Sequence, residues 1–246
     1  MATYDLLAAH YDVVTGDSAT EATFIDGIIK HACGRAVTLL EVACGTGGIV
    51  ARLADRYQVS GLDISPRMLA VAREKLPDGT PLYLADMSNF QLDTTFDAIV
   101  CVYHGINHLL SFSHWESFFD CAYGHLNPGG TLIFDVITAH SLELMARIRQ
   151  TVQQFGANYL LIKVRASGGM LFDWEIEVYE LQSSGRYALL REVIRTAWFP
   201  DDKIQKALGE RFSDVTTIDS DGSVANDESE SRTWFVCTKS ERPEPV

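Results

Sequence analysis

Apolar and polar positions alternate in blocks that change period along the chain. Leu39-Leu40-Glu41-Val42 is an apolar run closed by small residues, Ala43-Cys44-Gly45-Thr46-Gly47-Gly48, and Ile49-Val50-Ala51-Arg52-Leu53 then follows helical spacing. Tyr57 to Leu62 reads as a second strand ending at Asp63; Ser65 is placed to N-cap the next helix, with Pro66 at its first position and Met68, Leu69, Ala72 and Leu76 on its apolar face. Upstream, Phe24, Ile25, Ile28 and Ile29 give residues 1–36 a helical stripe. Downstream, His140–Arg149 reads as a helix. Strands are then expected at 159–165, 170–180 and 187–198, separated by Gly168-Gly169 and Ser183-Ser184-Gly185 turns. A helix over 200–209 and strands at 215–218 and 233–237 close the chain, the last two as an antiparallel pair around a polar, acidic segment at 219–232.

A strand, a glycine turn and a helix make a nucleotide cradle, because glycine lets a ligand approach backbone N–H groups and the helix N-terminus. Two ligand classes compete for it. Ala43-x-Gly45-x-x-Gly48, with Asp63 at 63 − 45 = 18 positions beyond Gly45, is one substitution from the dinucleotide fingerprint of a dehydrogenase. The run Glu41-x-Ala43-Cys44-Gly45-Thr46-Gly47 instead resembles the first motif of class I S-adenosylmethionine (AdoMet) methyltransferases, departing from it at Ala43 and Cys44.

Later segments carry the same resemblance in order. Gly61-Leu62-Asp63-Ile64 resembles the second motif, Leu82-Tyr83-Leu84-Ala85-Asp86-Met87 the third strand and its end, Phe96 to Val102 the fourth, and Leu126-Asn127-Pro128-Gly129-Gly130-Thr131-Leu132-Ile133-Phe134 the fifth. A dehydrogenase needs none of the last three. The resemblance implies a Rossmann-like α/β fold: a seven-stranded, mostly parallel sheet with helices on both faces, its last strand antiparallel, and an antiparallel β insertion after the fifth strand. It also implies a division into an N-terminal helical lid (1–36), an AdoMet-binding core (37–137), a helix and β cover (138–198), completion of the core sheet (199–240) and a tail (241–246). Outside the core the likeness is to small-molecule enzymes, including amino-sugar N,N-dimethyltransferases.

The implied cofactor, AdoMet with S-adenosylhomocysteine as its product, lies against Glu41, Ala43, Gly45 and Gly47. Asp63 takes the ribose hydroxyls, Ile64 and Met68 pack nearby, Ala85, Asp86 and Met87 meet the adenine, and Val102 follows on the fourth strand. Ala8-Ala9-His10-Tyr11-Asp12 resembles a segment that covers the bound cofactor in small-molecule methyltransferases, which brings Tyr11 to the methionine carboxylate or the acceptor. Tyr103-His104-Gly105-Ile106-Asn107-His108 follows the fourth strand, so His104 and His108 are the candidates for a general base, histidine titrating near neutrality. Trp174, Tyr179, Tyr187 and Trp198 are candidate walls of the acceptor pocket.

The formal charge of −13 over 246 residues argues against a nucleic-acid backbone as the main partner. Neither the Asn/Asp-Pro-Pro-Tyr/Phe loop of nucleic-acid amine methyltransferases nor the paired-glutamate loop of arginine methyltransferases is present. The five cysteines (33, 44, 101, 121, 237) show no metal spacing, and no third ligand joins His104 and His108. The expectation is a metal-free cytoplasmic enzyme, monomer or homodimer, without a membrane span, methylating a nitrogen or oxygen of a small-molecule acceptor. An RNA methyltransferase and a non-catalytic AdoMet-binding protein are the alternatives.

Overall fold

The computed structural model describes residues 4–219 and 232–241. Between Thr38 and Ile137 strands alternate with helices except from β3 to β4, which a loop joins: β1 (Thr38–Val42), α3 (Gly48–Leu53), β2 (Gln58–Asp63), α4 (Pro66–Lys75), β3 (Leu82–Leu84), β4 (Phe96–Cys101), α5 (Phe112–His125) and β5 (Leu126–Ile137). Two helices precede them, α1 (Tyr11–Thr15) and α2 (Ala19–Ala32). With β10 (Asp214–Ile218) and β11 (Arg232–Thr238), these strands form a seven-stranded sheet in the order β10-β11-β5-β4-β1-β2-β3. All pairs are parallel except those of β11, which runs against both β5 and β10.

Helices on both faces explain why the central strands are apolar throughout rather than alternating. Leu39, Leu40 and Val42 of β1, Ile99 and Val100 of β4, and Leu132 and Ile133 of β5 are all buried. On one face Phe118 and Phe119 of α5 pack on Phe134, which stacks on Phe235 of β11 at 5.0 Å and 7°. On the other, Ala22, Ile25 and Ile29 of α2 bury the stripe read from the sequence. Asp97 is more than a solvated strand start. Its Oδ2 accepts the Val37 and Thr38 N–H groups and its Oδ1 the Asn127 amide, tying β4 to the entry of β1.

After β5 the chain forms α6 (Ala139–Arg147) and an antiparallel sheet in the order β6-β7-β8-β9, then α7 (Asp201–Gly209). The strands are β6 (Thr151–Phe155), β7 (Asn158–Gly168), β8 (Leu171–Leu181) and β9 (Tyr187–Ala197). The expected insertion had three strands; β6 is the fourth. Its sequence, Thr-Val-Gln-Gln-Phe, exposes every residue but Phe155 and so lacks the one-sided apolar pattern that marks a strand. The inner face of this sheet carries Leu160, Ile176, Val178 and Ile194, packed on Leu7 of the N-terminal segment. Its outer face is laced by Arg165–Glu175, Arg191–Glu177 and Arg195–Asp173 ion pairs.

The acidic stretch read at 219–232 lies outside the described residues except for its two ends, as does the 241–246 tail beyond Glu241. Among the described residues no helix is long and apolar enough to cross a membrane, and no cluster of metal-ligating side chains occurs.

Candidate active site

β1 and β4 are neighbours, and the connections leaving their C-terminal ends run in opposite directions, from β1 to β2 and from β4 to β5. Open α/β sheets bind ligands in the crevice at such a point. Here the crevice is a cavity of about 380 Å³.

The turn after β1 forms its floor. Ala43 and Gly45 adopt left-handed backbone conformations, φ 55° and 53°, and a side chain at Gly45 would extend into the cavity with only the Tyr11 ring within 4 Å. Small residues fit a turn built this way. Glu41 is 3% exposed, and its Oε2 accepts the Val50 N–H at 3.2 Å, so it caps α3 from the preceding strand. Burial raises its carboxyl well above the usual range.

Asp63 stands at the end of β2 and fastens two loops. Its Oδ2 accepts the Gly45 N–H and its Oδ1 the Ser65 N–H, both at 2.8 Å. Burial raises its carboxyl, while these same bonds pull the other way. Ser65 caps α4 as expected, accepting the Met68 N–H at 3.1 Å. Ile64 and Met68 border the cavity, Ile64 with 53% of its surface exposed. Across from them stand Ala85, Asp86 and Met87 beyond β3. Asp86 is also a turn residue, accepting the Ser88 N–H at 2.8 Å.

The acceptor side is built from the loop after β4 and from the N-terminal segment. Val102, Tyr103, Gly105 and His108 line it, and Leu109, Leu110 and His114 continue the wall. Tyr11 reaches the cavity, joined by Tyr4, which the sequence reading did not single out. The two rings meet edge-on at 5.8 Å, and Tyr4 meets His108 edge-on at 5.3 Å, its hydroxyl 3.4 Å from His108 Nε2. Burial lowers the His108 pKa to about 4, so its imidazole is neutral at physiological pH. Burial also raises both tyrosine hydroxyls, which stay protonated.

A repeated dipeptide fastens this segment. In Tyr4-Asp5, Asp5 accepts the Ser65 hydroxyl at 2.6 Å; in Tyr11-Asp12, Asp12 accepts the Thr46 hydroxyl at 2.5 Å and pairs with Lys75 at 2.6 Å. Each aspartate grips the loop after one strand while the tyrosine before it faces the cavity. That seven-residue repeat is visible in the sequence, where it is the one local signal of Tyr4. The segment also reaches the insertion, where the Tyr4 N–H donates to Glu192 Oε1 at 2.9 Å.

Two expected site residues stand elsewhere. Gly47 N-caps α3 at φ 74°, and a Cβ there would come within 3.1 Å of the Ala72 Cβ. It permits α3 to pack on α4 and does not line the cavity. His104 turns away at φ 59° toward the fully buried Asp135, which accepts its backbone N–H at 3.1 Å. Its Nε2 lies 3.4 Å from Asp135 Oδ2 without closing a hydrogen bond, and Arg232 bridges Asp135 and Glu21 beside it. Burial lowers the His104 pKa as well.

The aromatic residues of the insertion do not wall the cavity. Trp174 donates to Thr196, Tyr179 to Glu177 and Tyr187 to the Ala157 carbonyl. Trp198 packs beside Ile137 and Leu142.

Comparison with known proteins is consistent with this geometry. A family model described as a methyltransferase domain matches residues 39–130. A dTDP-3-amino-3,6-dideoxy-alpha-D-glucopyranose N,N-dimethyltransferase from Streptomyces fradiae is 33% identical over 134 residues, 52% of each protein. The chain thus spans about half the length of the curated sugar dimethyltransferases it matches. A sugar N-methyltransferase from a Streptoalloteichus species superposes with a TM-score of 0.81 and 26% identity over 98% of this chain and 94% of that one. An S-adenosylmethionine-dependent methyltransferase from Clostridium acetobutylicum superposes at 0.83, with 20% identity over 97% and 100% of the two chains. Residues 39–130 are thus a methyltransferase domain by family model, on a Rossmann-like fold that this chain shares with S-adenosylmethionine-dependent methyltransferases.

Proposed function

We propose that this protein is an AdoMet-dependent methyltransferase that delivers a methyl group to a nitrogen or oxygen of a small molecule by in-line displacement. The observation that carries the reading is the cavity itself. The left-handed bend at Ala43–Gly45 opens backbone toward it, and the Asp63 carboxylate stands at its edge, bonded to Gly45. The residues present fit the cofactor. Asp63 would hold the ribose hydroxyls, Ile64, Met68 and Met87 the adenine faces, and Ala85 and Asp86 its edge. Glu41, Ala43, Gly45 and Val102 would border the methionine portion, with Tyr11 over it. Gly47 stands outside this set.

When bound, AdoMet supplies a methyl group already activated by its sulfonium. The chain's own task is then placement and exclusion of water. Tyr11, Tyr4 and His108 enclose the acceptor side, and the neutral His108 imidazole has a nitrogen lone pair with which to take a proton from the acceptor. His104 acts at one remove: its bond to Asp135 fixes the left-handed turn that aims the loop carrying His108. The relatives that methylate amino sugars support an acceptor of that size.

Calorimetric titration with S-adenosylhomocysteine, followed by incubation with AdoMet and a panel of amines, phenols and carboxylic acids, tests this reading. Saturable binding and acceptor-dependent formation of S-adenosylhomocysteine are expected. Absence of binding would sink the cofactor assignment; binding without turnover on any acceptor would leave a protein that only senses the cofactor.

A further inference from the structure

Behind the acceptor wall, outside the cavity, a cation and a histidine meet one carboxylate. Asp135, near the end of β5, is fully buried. Its Oδ1 accepts the His104 N–H at 3.1 Å, and its Oδ2 accepts from Arg232 Nη1 at 3.2 Å. The same Oδ2 lies 3.4 Å from His104 Nε2, which is shielded from solvent and has no hydrogen-bond partner among the described residues. Arg232 opens β11; Glu21 of α2 holds it at 2.6 Å, and it lies 4.9 Å from the centre of the Trp234 ring. Cys101 of β4 and Tyr103 and His108 of the loop after it are the other titratable groups that feel this cluster.

The backbone fastened there is strained. Tyr103 and His104 are consecutive non-glycine residues in the left-handed region, φ 56° and 59°. Residues in that region persist where their surroundings hold them. The hold on this turn is the carboxylate oxygen that accepts the His104 N–H. The turn aims Tyr103, Gly105 and His108, which line the cavity, while His104 between them does not. Resting on the methyltransferase reading, we propose that Arg232 is a positioning residue for methyl transfer. As the fixed cation beside Asp135, it keeps that carboxylate on the His104 N–H and so holds the turn that presents Tyr103 and His108 to the acceptor.

The His104 side chain stands by as a displaced second cation. Burial lowers its pKa, Asp135 raises it and Arg232 lowers it, so with the guanidinium in place the ring is neutral at physiological pH. A buried carboxylate stripped of its cation is costly. Without Arg232, Asp135 either takes a proton itself or draws one onto His104. The first weakens the bond that holds the turn; the second restores a cation to Asp135 through Nε2. Glu21 acts in the same direction, since losing Arg232 leaves a second carboxylate near the imidazole. A histidine pairs as a cation only below its pKa. The loss caused by removing Arg232 is therefore largest at high pH and recovers as pH falls, a dependence that a merely structural ion pair does not produce.

Arg232→Gln, compared with the unaltered protein from pH 6 to pH 8.5, tests the proposal. AdoMet is saturating, and the acceptor is the best substrate found among the amines, phenols and carboxylic acids. At pH 8.5 kcat is expected to fall about 10- to 100-fold, the scale of a small misplacement at the reacting centre. The ratio of variant to unaltered kcat should rise at least threefold toward pH 6, with affinity for S-adenosylhomocysteine within threefold throughout. Arg232→Lys keeps a cation and should restore most of kcat; Arg232→Gln combined with His104→Asn should lose the recovery in acid. NMR of ring-labelled histidines follows the same competition without turnover. His104 is expected to be neutral at pH 7 in the unaltered protein and to titrate about 1–3 units higher in Arg232→Gln. A pH-independent ratio overturns the proposal, as does a loss confined to the acceptor KM, which would make Arg232 a binding residue. A protonated His104 at pH 7 in the unaltered protein overturns it as well, and is read even if the variant fails to fold. Failure to bind S-adenosylhomocysteine would remove the methyltransferase reading instead, while the histidine titration still judges the pairing.

Discussion

Replacing Asp63 by asparagine separates two roles that one carboxylate combines. Asp63 accepts from Gly45 and Ser65, each at 2.8 Å, through different oxygens. An asparagine of the same shape has one oxygen, so one of the two N–H groups loses its acceptor and faces an NH₂ group. A buried donor left unpaired costs about 1–3 kcal/mol, which sets the expected loss of stability without ligand. The ribose hydroxyls would lose an ionised acceptor as well. Hydrogen bonds to a charged group contribute about 1.5–3 kcal/mol, so affinity for S-adenosylhomocysteine is expected to fall about 10- to 150-fold. Urea unfolding followed by tryptophan fluorescence reads the first quantity, and calorimetric titration the second. An affinity within threefold of the parent protein would refute Asp63 as the ribose anchor. A ligand-free unfolding midpoint equal to the parent's would refute its part in holding the two loops.

Two further outcomes follow from neighbouring residues. Gly47→Ala forces a side chain into the left-handed region against Ala72 and is expected to cost about 2–3 kcal/mol of stability with affinity retained; Gly45→Ala, also left-handed but with open space above it, should cost only about 1–2 kcal/mol of stability and lose affinity instead, when both are unfolded and titrated in parallel. For His108 the unfolded pKa of 6.5 exceeds the folded value of about 4, so the unfolded state binds the extra proton and stability falls as pH drops from 6.5 toward 4. Allowing for its partial exposure, the group contributes about 1–2 kcal/mol of the loss between pH 7 and pH 5. His108→Gln should flatten the stability profile by that amount in urea titrations at the two pH values, and an unchanged slope would contradict a buried neutral imidazole.

What was legible in the sequence was local. The bend at 43–47, the acid ending β2 and the Ser65-Pro66 helix start are each decided by a few adjacent residues, and the sheet around them followed from their order. Reading failed where a role depends on distant partners. Tyr4 gains its place through Glu192 and His108, and His104 loses its place in the cavity to Asp135, contacts that no spacing along the chain reveals. Gly47 fits the motif but serves helix packing, because a glycine pattern does not say which side of the turn meets ligand. The insertion aromatics show the same limit. Period-two alternation assigns a residue to one face of a strand but not the neighbour that face meets.

The insertion supplies no side chain to the cavity wall and holds it from behind, through Glu192 on Tyr4, the Ala197 carbonyl on the Asn107 amide and the inner apolar face on Leu7. Its strands are free to change their outward charge while the chemistry below stays put, provided Glu192, the Ala197 carbonyl and the inner apolar face keep their hold on Tyr4, Asn107 and Leu7. Diversification of acceptors is then concentrated in a short opening stretch of chain and the bend after β4, a small target for mutation and an equally small one for redesign.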